Sequence, residues 1–255
     1  MIDTHCHLND ERLQPLAEGI VADFGRDGLS AAINVGYDLD SSRKAVEQAM
    51  AYAPVYAAVG IHPHDAKSAT PEQYQTLCRL AEAEKVVAYG EIGLDFYYDL
   101  SDRDVQRKVM LEQLEIAAGL KLPVIFHVRD AYGLALELLK QNRSKLIYGG
   151  VMHCYGGSAE LAKEFVRLGL HVAFGGAVTF KNAHKDDVIR AVAPERLLLE
   201  TDCPYMTPVP YRGQLNLPKY VGLVAEKIEA VTGRADIGIQ TERNARALFG
   251  INRAV

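Results

Sequence analysis

The chain has 255 residues, 49% hydrophobic and 24% charged, with a net charge of −5. This composition suits one large buried core, and it argues against a broad basic nucleic-acid surface or a membrane-surface role. A phosphate-bearing ligand would therefore have to be held by charge concentrated at a site.

Short apolar runs alternate with amphipathic segments along the chain. Strands are predicted at 1–6, 31–36, 55–61, 86–92, 123–128, 149–153, 170–175 and 196–201. Helices are predicted between them at 41–52, 71–84, 103–119, 130–141, 158–168 and 184–192, with a weaker one over 10–24. Two more, about 217–232 and 241–248, close the chain. Thr70-Pro71-Glu72 reads as a helix start, and Ser158 opens a segment that stops at Gly169. Eight strands alternating with helices predict a parallel α/β sheet, closed as a (β/α)8 TIM-type barrel; an open doubly wound sheet is the alternative. With no linker or repeat, 1–255 reads as a single domain.

No run reaches the roughly 20 apolar residues that span a bilayer, and no basic-then-apolar leader precedes His5. Cys6, Cys78, Cys154 and Cys203 lie far apart without a Cys-x-x-Cys pair, and they read as small apolar neighbours rather than thiol ligands. The expected address is a reduced cytoplasm, with no membrane partner.

Candidate chemistry gathers at the strand ends. His5 and His7 share one face of the first strand, and Asp3 is expected to orient an imidazole behind them. Glu91 follows the apolar run 86–90, flanked by Gly90 and Gly93; a carboxylate there is costly to bury without a cation. His127 lies in the fifth strand, His153 ends the sixth, and Asp202 follows the eighth. Strand ends of a barrel converge on one mouth, so these six groups read as metal ligands. Two divalent ions fit better than one: His5, His7 and Asp202 on the first, His127 and His153 on the second, with Glu91 shared. Nitrogen and oxygen donors suit zinc, manganese or iron, and magnesium less naturally. Two such ions and two carboxylates leave a local charge of about +2, enough to attract phosphate.

These residues sit in ordered motifs: Asp3-Thr4-His5-Cys6-His7-Leu8, Gly60-Ile61-His62-Pro63-His64, Gly90-Glu91-Ile92-Gly93-Leu94-Asp95, His127-Val128-Arg129, His153-Cys154-Tyr155-Gly156-Gly157 and Glu200-Thr201-Asp202-Cys203-Pro204. With Arg212-Gly213, Asn216 and Asn244 they run almost to the C-terminus. The chain resembles the TatD family of metal-dependent deoxyribonucleases, within the amidohydrolase-like barrels. The resemblance implies a somewhat distorted barrel that binds two or three divalent ions and hydrolyses phosphodiesters, with His5, His7, Glu91, His127, His153 and Asp202 as ligands. Tyr155 stands where phenylalanine is usual, and Met110 also departs from the pattern; neither is a ligand position.

His62 is expected to contact substrate, and His64 to be structural or to lie behind the ligands. Arg129 and Arg212 are expected to hold phosphate through their planar forks. Tyr155 can stack on a base or simply pack, and Tyr97-Tyr98-Asp99 reads as a loop over the site whose aromatic groups either hold a splayed single strand or pack against the barrel rim. The leading reading is a deoxyribonuclease acting on single-stranded DNA or 3′ ends by a metal-activated hydroxide, with Asp202 and Glu91 catalytic. An ester, amide or lactone hydrolase of the same barrel type is the alternative. A barrel that only binds metal or protein is a third reading, opposed by Arg129, His62 and Asp202.

Overall fold

The structure, a computed structural model, describes residues 1–251; the last four residues of the expected domain, 252–255, lie outside the described residues. Its strands are β1 (Ile2–Cys6), β2 (Ala31–Val35), β3 (Val55–Val59), β4 (Val86–Asp95), β5 (Val124–Arg129), β6 (Gly150–Met152), β7 (His171–Phe174) and β8 (Leu197–Leu199). They form one sheet in chain order, and each strand from β1 to β8 pairs parallel with the next. The helices are α1 (Ala17–Ala22), α2 (Leu39–Ala51), α3 (Pro71–Ala81), α4 (Arg103–Leu120), α5 (Tyr132–Gln141), α6 (Ala159–Arg167), α7 (Asp186–Ala191), α8 (Val221–Thr232) and α9 (Ile237–Phe249).

The result is a nearly closed α/β barrel. No ladder joins β8 to β1 among the described residues; the ring closes beyond the end of β8, at an isolated parallel bridge between Cys6 and Cys203. Side chains complete the seam. Thr4 Oγ1 donates to the Leu199 carbonyl at 2.9 Å, and the Asp3 carboxylate accepts the Thr201 N–H and hydroxyl at 2.9 and 2.6 Å. Asp3 therefore fastens the seam instead of orienting an imidazole, which corrects the expectation for it.

Alternation along the strands sorts the core into two layers. Ile33, Val35, Ala58, Ala88, Ile125 and Ala173 belong to one cluster, which Ala245 and Phe249 of α9 also join. Ala32, Ala57, Phe126 and Phe174 instead pack in the cluster shared with the surrounding helices. Local chemistry sets the helix ends. Thr70 accepts the Gln73 N–H while Gln73 returns a bond to the Thr70 N–H, and Ser158 Oγ accepts from Leu161 N. Over 10–24 the helix shrinks to α1, preceded by a 3-10 turn at Gln14–Leu16 that contains Pro15.

β4 is longer than predicted, so Glu91 lies inside a strand instead of at its exit. Gly93 makes the extension possible: a Cβ there would stand 1.8 Å from the His127 carbonyl oxygen of β5. β8 is shorter than predicted, and Glu200, Thr201 and Asp202 follow its end.

His171, the first residue of β7, is buried, and its Nδ1 has no partner among the described residues. Burial, then the nearby Arg196, hold its imidazole down to about 4 from the ordinary 6.5. Between those values the unfolded chain takes a proton that the folded chain refuses. Its contribution to stability is thus whole above about 6.5 and is lost as pH falls toward about 4, on the order of 3 kcal/mol in all. Urea unfolding at pH 7 and 4.5 is expected to show a larger loss in the native protein than in His171→Gln. An equal loss in both would remove this assignment.

Candidate metal centre

Glu91 is the hub of the cluster. Its Oε2 lies 3.4 Å from His5 Nε2, and its Oε1 lies 2.8 Å from His127 Nδ1, 3.3 Å from His153 Nε2 and 3.7 Å from His62 Nε2. Asp202 Oδ1 stands 3.4 Å from His7 Nε2 and 3.9 Å from His5 Nε2. All six residues expected as ligands therefore converge at one end of the barrel. Together with His62, their donors fall into three overlapping sets: His5–His7–Glu91, His5–His153–Asp202 and His62–Glu91–His127.

These sets differ from the partition expected between two ions. His153 lies beside His5, with ring centroids 3.7 Å apart, whereas His127 is 5.9 Å away. His153 follows the short β6, and its ring stacks on the imidazole from β1. His62 takes the third place beside His127, their centroids 4.3 Å apart.

Hydrogen bonds assign the ring nitrogens. His7 Nδ1 lies 2.9 Å from the Val35 carbonyl and donates to it, leaving the Nε2 lone pair free toward the cluster. His62 is the reverse. Its Nδ1 accepts the His64 backbone N–H at 3.1 Å, so the neutral ring carries its proton on Nε2, facing Glu91. That proton makes His62 a hydrogen-bond donor at the site and a poor ligand through Nε2.

Two buried carboxylates stand behind the imidazoles. Asp95 Oδ2 lies 3.1 Å from His127 Nε2 and 2.9 Å from His64 Nε2, placing His64 one layer back. Glu200 Oε1 lies 3.1 Å from His153 Nδ1, close enough for charge pairing but poorly aligned for a hydrogen bond, and accepts the Cys154 N–H at 2.6 Å. Both sit in the motifs quoted above, but sequence position alone gave them no role. Gln106 and Gln113 of α4, which carry no ligand chemistry, also support the site. Gln113 bonds both backbone groups of Ile61, at 2.8 and 2.9 Å, and Gln106 bonds both of Asp95, at 2.8 and 3.2 Å. Buried glutamines on an otherwise apolar helix face are the signal that points to them.

Charge in the cluster is balanced locally. Burial pushes the Glu91 carboxyl up, but His153, His62 and His5, with the His127 hydrogen bond, hold it well below the usual range. Asp202 is likewise lowered: burial opposes ionisation, and the neighbouring His7, His153 and His5 imidazoles outweigh it. For His153, burial pulls the imidazole down, but Glu200 and Glu91 prevail and raise it to about 10. His62 is driven well below its ordinary value by burial and by His127.

The donor set fits divalent cations. His5 Nε2 and His7 Nε2 face each other at 3.2 Å, and two imidazole lone pairs that close repel unless a proton or cation lies between them. The surrounding donors are imidazole nitrogens and carboxylate oxygens, a set suited to a borderline metal. The one thiol-containing group, Asp3–Cys6–Cys203, lies at the seam, where Asp3 is committed to Thr201.

Arg129 and Arg212 are exposed, and neither has a carboxylate partner among the salt bridges of the described residues. The Arg129 guanidinium lies 3.8 Å from the Tyr97 ring centroid, and that of Arg212 lies 3.6 Å from the Phe180 ring centroid. Tyr155 packs: it is buried against Tyr132 and Phe165, and its hydroxyl donates to the Ser158 carbonyl.

Residues 2–250 match the family model described as TatD related DNase. The chain belongs to that family. It is a metal-dependent hydrolase built on an amidohydrolase-like barrel. A similar protein from Bacillus subtilis (strain 168), named an uncharacterized metal-dependent hydrolase, is 40% identical over 255 residues, covering 99% of this chain and all of that one. The protein named 3′-5′ ssDNA/RNA exonuclease TatD from Klebsiella pneumoniae (strain 342) is 33% identical, covering 99% of this chain and 98% of its own. Among solved structures, a TatD homolog from Escherichia coli K12 superimposes with a TM-score of 0.93 at 31% identity, covering 99% and 98% of the two chains.

Proposed function

We propose that this chain, read as one hydrolase domain over residues 1–255, is a divalent-metal-dependent deoxyribonuclease that shortens single-stranded DNA from its 3′ end. One observation carries the choice of a phosphodiester: Arg129 and Arg212, exposed and without carboxylate partners among the described residues, accompany a buried histidine–carboxylate cluster in an acidic protein. The Klebsiella relative, named for ssDNA and RNA exonuclease activity, supports the same reading.

His5, His7, Glu91, His127, His153 and Asp202 would hold two ions, with zinc, manganese and magnesium the candidates. Such ions, when bound, lower the pKa of a coordinated water and offset phosphate charge. Asp202 has the side chain more open to solvent, 16% exposed against 5% for Glu91, so it is suited to accept a proton from the attacking water. His62 presents its Nε2 proton to a phosphate oxygen, and the arginine forks hold the neighbouring phosphates. The four free thiols agree with a reducing compartment such as the cytoplasm. Among the described residues, no helix is long and apolar enough to cross a membrane.

The test strips the protein with a chelator, then adds back magnesium, manganese or zinc while following end-labelled oligonucleotides beside an aminoacyl ester and a lactone panel. Loss of DNA shortening on chelation, its return with metal, and shortening from the 3′ end are expected. Ester or lactone turnover with intact DNA would transfer the site to the alternative chemistry.

A further inference from the structure

Exposed apolar surface is distributed unevenly on this molecule. Among the described residues, eight of the twelve large exposed hydrophobic side chains lie in two loops, one after β4 and one after β8. All four exposed tyrosines are among them: Tyr97, Tyr98, Tyr205 and Tyr211. β4 and β8 are four strands apart in a nearly closed ring of eight, so the loops stand on opposite sides of the barrel mouth. Each brings a tyrosine against an imidazole of the site. The Tyr98 ring centroid is 5.3 Å from that of His64, and the Tyr205 ring centroid is 6.2 Å from that of His7. Tyr97, Tyr98 and Tyr205 remain 58%, 53% and 45% exposed, so a substantial part of each is left uncovered.

Both tyrosine sites are backed by a cation. The Arg129 guanidinium lies 3.8 Å from the Tyr97 centroid and 4.9 Å from that of Tyr98, and the Arg12 guanidinium lies 4.6 Å from the Tyr205 centroid. Hydrogen bonds also anchor the platforms: Tyr97 and Tyr98 donate their backbone N–H groups to Asp95 Oδ1, and the Tyr205 hydroxyl donates to Asp10 Oδ2.

We infer that these loops carry two base-stacking platforms, Tyr97–Tyr98 and Tyr205, between which a single nucleic-acid strand crosses the metal centre. This deepens the nuclease reading and rests on it. A strand whose phosphate lies over the imidazole and carboxylate cluster must splay its bases to either side, and an anchored aromatic face on each side receives them. A duplex would use the rings poorly, because its bases already stack on one another. Stacking accepts any base, so the platforms select for single-strandedness and not for sequence.

The test measures binding without turnover. The full-length protein, kept in chelator at low salt, is titrated against a fluorescein-labelled single-stranded oligonucleotide and against the same strand with abasic 3′-terminal positions. The native protein is expected to bind the intact strand at least about tenfold more tightly, the scale of one base–aromatic stack. Tyr98→Ala and Tyr205→Ala should each lose about tenfold on the intact strand and little on the abasic one, while Tyr98→Phe and Tyr205→Phe retain native affinity. Equal binding of both strands by the native protein, equal losses on both strands in the alanine variants, or no binding at all would overturn the inference. DNA turnover by the metal-loaded native protein is measured in parallel. Failure there removes the nuclease reading and this inference together, whereas turnover with no preference for intact strands removes the platforms alone.

Discussion

Replacing Glu91 by glutamine is expected to lower turnover by about a thousandfold or more while leaving the barrel folded. Glu91 lies within 3.7 Å of imidazole nitrogens from His5, His62, His127 and His153. Glutamine keeps the shape but removes the negative charge that holds those rings together and would be shared between cations. The loss of several kcal/mol of charge stabilisation accounts for the size of the effect. Metal content by mass spectrometry should fall with activity, while circular dichroism in chelator shows the barrel still folded. Asp95→Asn is the comparison: it touches His127 from behind, so metal should bind about 10–100-fold more weakly and activity should return in excess metal. Near-native turnover in Glu91→Gln, or an Asp95→Asn variant that excess metal leaves unchanged, would overturn these assignments.

Gly93→Ala is expected to damage both fold and site. The added carbon would stand 1.8 Å from the His127 carbonyl oxygen, and the obstacle is backbone in the neighbouring strand, not a flexible side chain. The glycine φ of 152° is also one that alanine rarely adopts. β4 and β5 must separate, at a cost of about 3 kcal/mol or more. In a chain of this size that lowers the thermal midpoint by roughly 6–12 °C. Separation would also carry Glu91 away from His127, so metal binding should weaken in the same variant. A midpoint within about 2 °C of the native protein, with metal binding intact, would show that the strands absorb the carbon easily.

Strand order and helix alternation were legible because a parallel barrel repeats one unit, and each unit announces itself as an apolar run followed by an amphipathic one. Limits of the strands were less so. β4 continues to Asp95 because Gly93 lets β5 approach, and β8 stops at Leu199, leaving the Cys6–Cys203 bridge and the Asp3 and Thr4 side chains to close the seam. Both depend on neighbouring strands, which one segment's pattern does not contain. In the same way, Asp3 reads as a partner for an imidazole, but the fold gives its carboxylate to Thr201 and to the His5 backbone N–H.

By itself, the sequence determined the residue types available at each strand end: imidazoles at 5, 7, 127 and 153, carboxylates at 91 and 202 and the arginines beyond. Side-chain periodicity and residue chemistry are local properties, so they can be read along the chain. Tertiary structure alone decided that His153 stacks on His5, that His62 turns its Nε2 proton inward, and that Asp95 and Glu200 stand behind the imidazoles. Those relations join residues many positions apart through angles and distances that exist only once the strands have curved into a ring.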